Sequence, residues 1–394
     1  MTKKLQSAFY NKQFTGVMVY NPRTKDTLVN YNANAFFTPA SNTKIFTLFT
    51  ALQTLGDSIP AFKYHINNDT ITLQGVGNPT FLHAYFKDST AVKMAKKYAK
   101  TRIMFNNLSD DAFGPGWAWE DYDTYFSPER TAFPIYGNVI TVSNDTALKV
   151  TPNVWKNRVM VKTKKFRRHQ LKNEFYYPIQ RTKETEIPIL MDSISQLSLW
   201  ENLLPDVEFI KTPNFVNMKT AFAMPTDSVC KRMLNESDNF LAEQLLIMAS
   251  STLSDTLSSK KMRRHILKQK LQFLQDKPRW VDGSGLSRYN LFTPRSFVQI
   301  LNKMYENIPK KRLFNLFPVG GQSGTLKKWY KGNPRPYMYA KSGTLSNNYA
   351  LSGYLISNKG ETLIFSFMNN HYRKSTSEIK KEMQVFFEYL RDEF

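Results

Sequence analysis

Near the start of the chain two apolar, strand-like runs are separated by a stretch of polar positions. Val17-Met18-Val19-Tyr20 and Thr27-Leu28-Val29-Asn30-Tyr31 flank a polar turn, Asn21 to Asp26, and together read as a hairpin. Phe36-Phe37-Thr38-Pro39-Ala40 then leads into Ser41. From Ser41 to about Leu55, Ile45, Phe46, Leu48, Phe49 and Leu52 recur at helical spacing, so the sequence predicts a largely buried helix. From about 63 to 214 the texture changes. Short β-like runs such as Thr70-Ile71-Thr72-Leu73 and Val159-Met160-Val161 alternate with polar, proline-containing turns, which predicts a β-rich inserted region. Helices return at Ser237 to about Ala249, at Lys260 to Gln275 and after Thr293-Pro294. Tyr339-Ala340-Lys341, Tyr349 to Ile356 and Thr362 to Met368 read as three strands, and a last helix runs from about Ser375 to Leu390. Strands at both ends around a helical middle predict one split domain whose sheet joins the chain ends. The expected layout is 1–62 and 215–394 for that domain and 63–214 for the insert.

Composition adds a folded, basic chain to this picture. Aromatic residues make up 14 % of the 394 positions, which excludes the aromatic-poor disordered class. Lys and Arg total 54 against 32 Asp and Glu, a net charge of +22. Such a field draws in polyanions and says nothing about fold. Nucleic acid, an anionic membrane surface and acidic wall polymer all fit it, as does a plain solvated surface. The densest basic cluster, Lys162 to Arg168, reads either as a solvated loop or as an anion-binding patch. No nucleic-acid-binding signature accompanies the charge, and no nucleic-acid partner is expected. The single cysteine, Cys230, rules out an intrachain disulfide and a multi-cysteine metal site. No apolar h-region follows Met1-Thr2-Lys3-Lys4, so no signal peptide is visible, and no stretch approaches the length of a membrane span.

Three short motifs carry the candidate chemistry: Ser41-Asn42-Thr43-Lys44, Ser237-Asp238-Asn239 and Lys341-Ser342-Gly343. Ser41 and Lys44, three apart on a helix, project from one face. A serine hydroxyl attacks well only when a neighbouring base takes its proton. A lysine becomes that base when burial or a second cation lowers its pKa, and Lys341 is a candidate second cation. Free N–H groups at the helix start also suit a developing oxyanion. Alone, the first two motifs are weak, whereas Lys-Ser/Thr-Gly occurs once. Ser228/Lys231, Ser258/Lys261 and Ser377/Lys380 share the first spacing, and Ser346-Asn347-Asn348 shares the second. Those lie in polar stretches, and Ser41 as a helix cap, Ser237 as a second cap and Lys341-Ser342-Gly343 as a turn are the bland alternatives. The ordered trio resembles the signature set of class A β-lactamases and penicillin-binding proteins.

Further segments narrow the resemblance. Val281-Asp282-Gly283-Ser284-Gly285-Leu286-Ser287-Arg288-Tyr289-Asn290-Leu291, Gly116-Trp117-Ala118-Trp119-Glu120-Asp121, Gly75-Val76-Gly77-Asn78-Pro79-Thr80 and the loop Pro318 to Leu326 are similar to segments of the D-Ala-D-Ala carboxypeptidase/endopeptidase family. That family comprises the class C low-molecular-mass penicillin-binding proteins. The resemblance implies an α+β multidomain fold: a β-lactamase/transpeptidase-like domain, with an antiparallel sheet flanked by helices, split by a β-rich insert. The insert is short for the family. It implies a serine D-Ala-D-Ala carboxypeptidase or DD-endopeptidase acting on peptidoglycan stem peptides in the periplasm or cell envelope. β-Lactams are the expected inhibitors, no cofactor or metal is expected, and contact with an anionic cell-wall or membrane surface is a further expectation.

By position, the resemblance implies that Ser41 is acylated, Lys44 is the general base and Ser237 relays a proton to the leaving amine. Asn239 would hold the peptide and Lys44, and Lys341 would sustain the electrostatics. Ser342, Gly343 and Thr344 would bind substrate, the two hydroxyls meeting its terminal carboxylate, with the N–H groups of Ser41 and Thr344 as the oxyanion hole. Asp121 and Arg288 would read the ammonium and carboxylate of a diaminopimelate side chain. A serine β-lactamase or esterase on the same scaffold, or a non-catalytic basic cell-wall-binding protein, are the alternatives.

Overall fold

The computed structural model describes residues 5–211 and 217–394. Met1 to Lys4 and the expected junction at 214/215 lie outside the described residues. A five-stranded antiparallel sheet runs in the order Met338–Leu345, Asn348–Ile356, Thr362–Asn370, Phe14–Asn21, Asp26–Tyr31. The first strand pairs with the last, Val17 opposite Phe367 and Val19 opposite Phe365, so the sheet does join the chain ends.

Both faces of this sheet are covered, which is why its central strands read as nearly continuous apolar runs. Period-2 alternation sends Leu351, Phe365 and Phe367 to one face, where Met383, Phe386 and Phe387 of the C-terminal helix Thr376–Glu393 pack. Ala350, Ile364 and Met368 face the other way, toward Phe46, Phe297, Ile300 and Leu301. The helix Lys44–Thr54 is buried along its whole first two turns, from Lys44 to Ala51. Phe46 anchors it edge-on against Trp280, Phe292 and Phe297, at 5.6, 4.8 and 5.4 Å between ring centroids.

A second sheet has the order Val207–Phe209, Lys100–Met104, Thr70–Gln74, Ser58–Asn67, Lys219–Pro225, with two parallel and two antiparallel pairings. Two smaller sheets follow, one of Thr185–Pro188, Val139–Asn144 and Leu148–Thr151, the other of Val159–Val161 and Phe175–Tyr177. These elements share their own core, centred on Phe62, Phe81, Phe133 and Trp200. The expected junction at 62/63 falls inside the strand Ser58–Asn67. Among the described residues, no helix is long and apolar enough to cross a membrane.

Local differences from the sequence reading have local causes. The expected helix Lys260 to Gln275 stops at Gln269, where Lys270 caps it and Leu271 folds back into the core with its N–H on Ile266 O. The helix expected from Ser237 begins two residues later, at Asn239. Asp238 is its N-cap, accepting from Leu241 N–H at 2.9 Å, while Ser237 closes the preceding helix Thr226–Glu236 in the left-handed conformation, φ 57°.

Candidate active site

Ser41 lies in a single 3-10 turn, Ala40–Thr43, that feeds the buried helix. Ala40, just before it, has φ 49°, a backbone region that costs a β-carbon-bearing residue energy and persists only where neighbours fix it. Two glycines fix it from opposite sides. A β-carbon on Gly285 (φ 88°) would stand 1.9 Å from Ala40 O, and one on Gly343 would stand 2.6 Å from Pro39 O and 2.9 Å from Ser41 N. Only glycine lets these two backbones approach the nucleophile turn so closely.

Lys44 is fully buried, and its Nζ has three neighbours in hydrogen-bond reach: Ser41 Oγ at 3.1 Å, Asn239 Oδ1 at 2.6 Å and Ser284 O at 2.7 Å. Asn239 Nδ2 donates to Phe126 O at 2.9 Å, which fixes which end of the amide faces the lysine. Two of the contacts are therefore pure acceptors. A neutral amine spends its two N–H groups on them and leaves its lone pair on Ser41 Oγ, the arrangement a base needs. Burial pushes the Lys44 pKa down to about 8, with Asp238, Asp282 and Glu243 pulling the other way.

Lys341 is equally buried and donates to Ser342 O at 2.7 Å. Its pKa lies well below the ordinary lysine value, first through burial and then through the charge of Lys44. Desolvation thus leads for both lysines. The pair shares one unfavourable site, in which the charge of Lys44 adds to the burial of Lys341.

Lys341 belongs to the edge strand Met338–Leu345. Along that strand Ala340 N–H bonds outward to Pro318 O, and Tyr337 O bonds inward to Ile356 N–H. Period-2 alternation then turns the N–H groups of Ser342 and Thr344 outward too, on the edge where Thr344 borders the cleft. The Ser342 hydroxyl donates to Thr325 Oγ1 at 2.7 Å, so Thr325 joins the predicted residues at this wall.

The opposite wall is built on Asp282. This buried carboxylate accepts from the N–H groups of Gly285 and Ser287 at 2.9 and 2.6 Å, from Asn290 Nδ2 at 2.7 Å and from Trp117 Nε1 at 2.9 Å. Ser287 Oγ bonds Pro115 O and Arg288 N–H bonds Gly116 O, stitching two segments far apart in sequence. The stitching brings Asp121 and Arg288 into the same cleft, about 810 Å³, that Ser41, Ser237, Asn239, Ser342 and Thr344 line. Burial raises the Asp121 pKa and the Arg288 charge opposes that rise. Every residue expected at the site from the sequence is at or beside this cleft, Lys44, Lys341 and Gly343 lying just beneath its surface. Sequence reading missed the roles of Asp282, Trp117, Glu243 and Arg130. The available signal was an acid, Glu243, inside a mostly apolar helix.

A serine hydroxyl facing a buried, largely desolvated lysine beneath an exposed strand edge defines an active-site-serine acyl-transfer hydrolase. Residues 2–170 and 216–390 match the D-Ala-D-Ala carboxypeptidase 3 (S13) family, and the chain belongs to that family. It is a serine-type D-Ala-D-Ala carboxypeptidase. The chain is 23 % identical to the penicillin-sensitive carboxypeptidase A of Dictyostelium discoideum, over 92 % of its own length and 83 % of the relative's. It is 24 % identical to the D-alanyl-D-alanine carboxypeptidase DacB of Haemophilus influenzae, over 96 % and 89 %. The crystal structure of penicillin-binding protein 4 from Haemophilus influenzae superposes with a TM-score of 0.78 at 19 % identity, covering 99 % of both chains.

Proposed function

We propose that Ser41 attacks the carbonyl between two D-alanines while Lys44 Nζ takes its proton. The observation that carries this reading is the pair of fixed acceptors, Asn239 Oδ1 and Ser284 O, which leave Ser41 Oγ as the third neighbour of the Lys44 nitrogen. The N–H groups of Ser41 and Thr344 receive the oxyanion; one such donor typically contributes ~10²–10³ in turnover. Ser237 passes the proton to the leaving amine, Lys341 sets the local potential, and Ser342 and Thr344 meet the terminal carboxylate beside Gly343. Water then releases the acyl group from Ser41. Cross-linked stem peptides, whose scissile bond also follows D-Ala, are cut by the same steps as a DD-endopeptidase. The sensitivity in the name of the Dictyostelium relative supports acylation of the same serine by β-lactams. A domain drawn from both chain ends belongs to this reading, around an insert that opens with the strand Ser58–Asn67 rather than at 63 and closes with its partner Lys219–Pro225, as does work in the cell envelope.

The lysine's protonation sets a pH dependence. With a pKa of about 8, Lys44 is protonated below that pH and cannot accept the serine proton. Acylation by a penicillin therefore rises with pH and levels off above a midpoint near 8. The second-order rate constant, measured from pH 5 to about 10, checks this; a rate independent of pH across that range contradicts Lys44 as base.

Asp121 and Arg288 are proposed to bind the free ammonium and carboxylate of a diaminopimelate side chain, the guanidinium taking the carboxylate in a fork. Their placement in the cleft supports this. Asp121→Ala and Arg288→Ala should each erase most of the kcat/KM preference for peptides with that free centre over blocked peptides, with penicillin acylation nearly unchanged. Equal loss of penicillin acylation and peptide cleavage would make both residues structural.

A further inference from the structure

Glu243 stands one helical turn beyond Asn239 on the helix Asn239–Ser250, in which every residue from Phe240 to Ser250 is buried. A carboxyl group in such a place is costly unless its oxygens are used. Oε1 accepts from both Gly283 N–H, at 2.9 Å, and Ser284 N–H, at 2.7 Å. Oε2 lies 3.5 Å from Arg130 Nη1. Arg130 is in turn held by Asp111 O and Phe113 O, and its guanidinium stands 3.9 Å from Asp110. The carbonyls of the same two loop residues face the nucleophile helix. Gly283 O accepts from Thr47 Oγ1 at 2.7 Å, and Ser284 O accepts from Lys44 Nζ at 2.7 Å. One acid thus grips the N–H side of a loop whose carbonyl side orients the lysine.

We propose that Glu243 is a positioning residue for the base: it holds the 283–284 loop so that Ser284 O stays on Lys44 Nζ and the amine's lone pair stays on Ser41. This rests on Lys44 being the base. Arg130 ties the grip to the segment 105–135, so the inserted region takes part in aligning the catalytic lysine.

The charges around the pair fix the sign of the electrostatic effect. Lys44 faces Asp238, Asp282 and Glu243 from the acidic side and Lys341 from the strand side. Glu243 faces Asp282, Arg130 and Arg263. Its negative charge opposes the burial that depresses Lys44, so removing that charge lets the lysine deprotonate at lower pH.

Glu243→Gln keeps the Oε1 acceptor and loses the charge, whereas Glu243→Ala loses both. With a penicillin as probe, Glu243→Gln should shift the acid limb of acylation to lower pH and reduce the plateau by less than about tenfold, while Glu243→Ala should lose roughly 10²-fold as the Ser284 carbonyl drifts. Rescue of the plateau by Gln over Ala is what a merely structural role would not produce. If both variants fold and keep the parent's midpoint and plateau, the proposal is overturned. If Glu243→Ala fails to fold, Glu243→Met takes its place, and a folded Glu243→Met with the parent's plateau overturns the proposal. Lys44→Met, measured alongside, separates the two levels: normal acylation there sinks the base assignment, whereas an inactive Lys44→Met beside an unaltered Glu243→Ala or Glu243→Met sinks only the role of Glu243.

Discussion

Ser41→Ala abolishes penicillin labelling and D-Ala release together. Only the hydroxyl is removed, and the Ser41 side chain forms none of the close contacts that hold its turn; these come from backbone against Gly285 and Gly343. The variant should therefore fold and melt like the parent. Turnover should fall by roughly 10⁶-fold, to what the oxyanion donors and binding sustain without a nucleophile. Intact-protein mass after incubation with a penicillin is the direct measurement: the parent gains one acyl group and the variant none. A single acyl group on Ser41→Ala, at Ser228, Ser258 or Ser377, would refute the mechanism, because those serines share the spacing to a lysine but not the buried helix.

Lys44→Met separates the base from the scaffold. The change removes the nitrogen that faces Ser41 Oγ and keeps an unbranched chain of similar volume in a fully buried site. Arginine is the poorer probe, since its larger head must be forced into a packed core at about 1–3 kcal/mol. Two effects on stability oppose each other in the methionine variant. The cost of burying an amine disappears, while Asn239 Oδ1 and Ser284 O lose their donor. Folding should be retained. Penicillin acylation should fall by roughly 10²–10⁴, the usual share of a general base, and the limb near pH 8 should vanish. A variant that acylates slowly but keeps that limb would assign the titration to another group.

Local chemistry made much of this protein legible before its structure. Short apolar runs bounded by turns predicted the strands Phe14–Asn21 and Asn348–Ile356, and 3.6-residue spacing predicted the helix Lys44–Thr54, because both patterns depend only on which faces a residue turns to the core. The order of the three motifs pointed to Ser41, Lys44, Ser237, Asn239 and Lys341, because each motif needs only its own local turn, cap or strand. What the sequence could not determine depends on partners remote along the chain. Ser284 O, 240 positions from Lys44, and Asn239, 195 positions away, decide where the lysine's lone pair points. Glu243 and Asp282 look like a helix residue and a loop residue until Gly283, Ser284, Arg130 and Trp117 arrive around them. That both lysines are pushed below the ordinary value followed from desolvation, a property of the packed surroundings that no local spacing encodes. The sequence by itself determined which groups could do the chemistry; burial and long-range hydrogen bonds alone decided their protonation and aim.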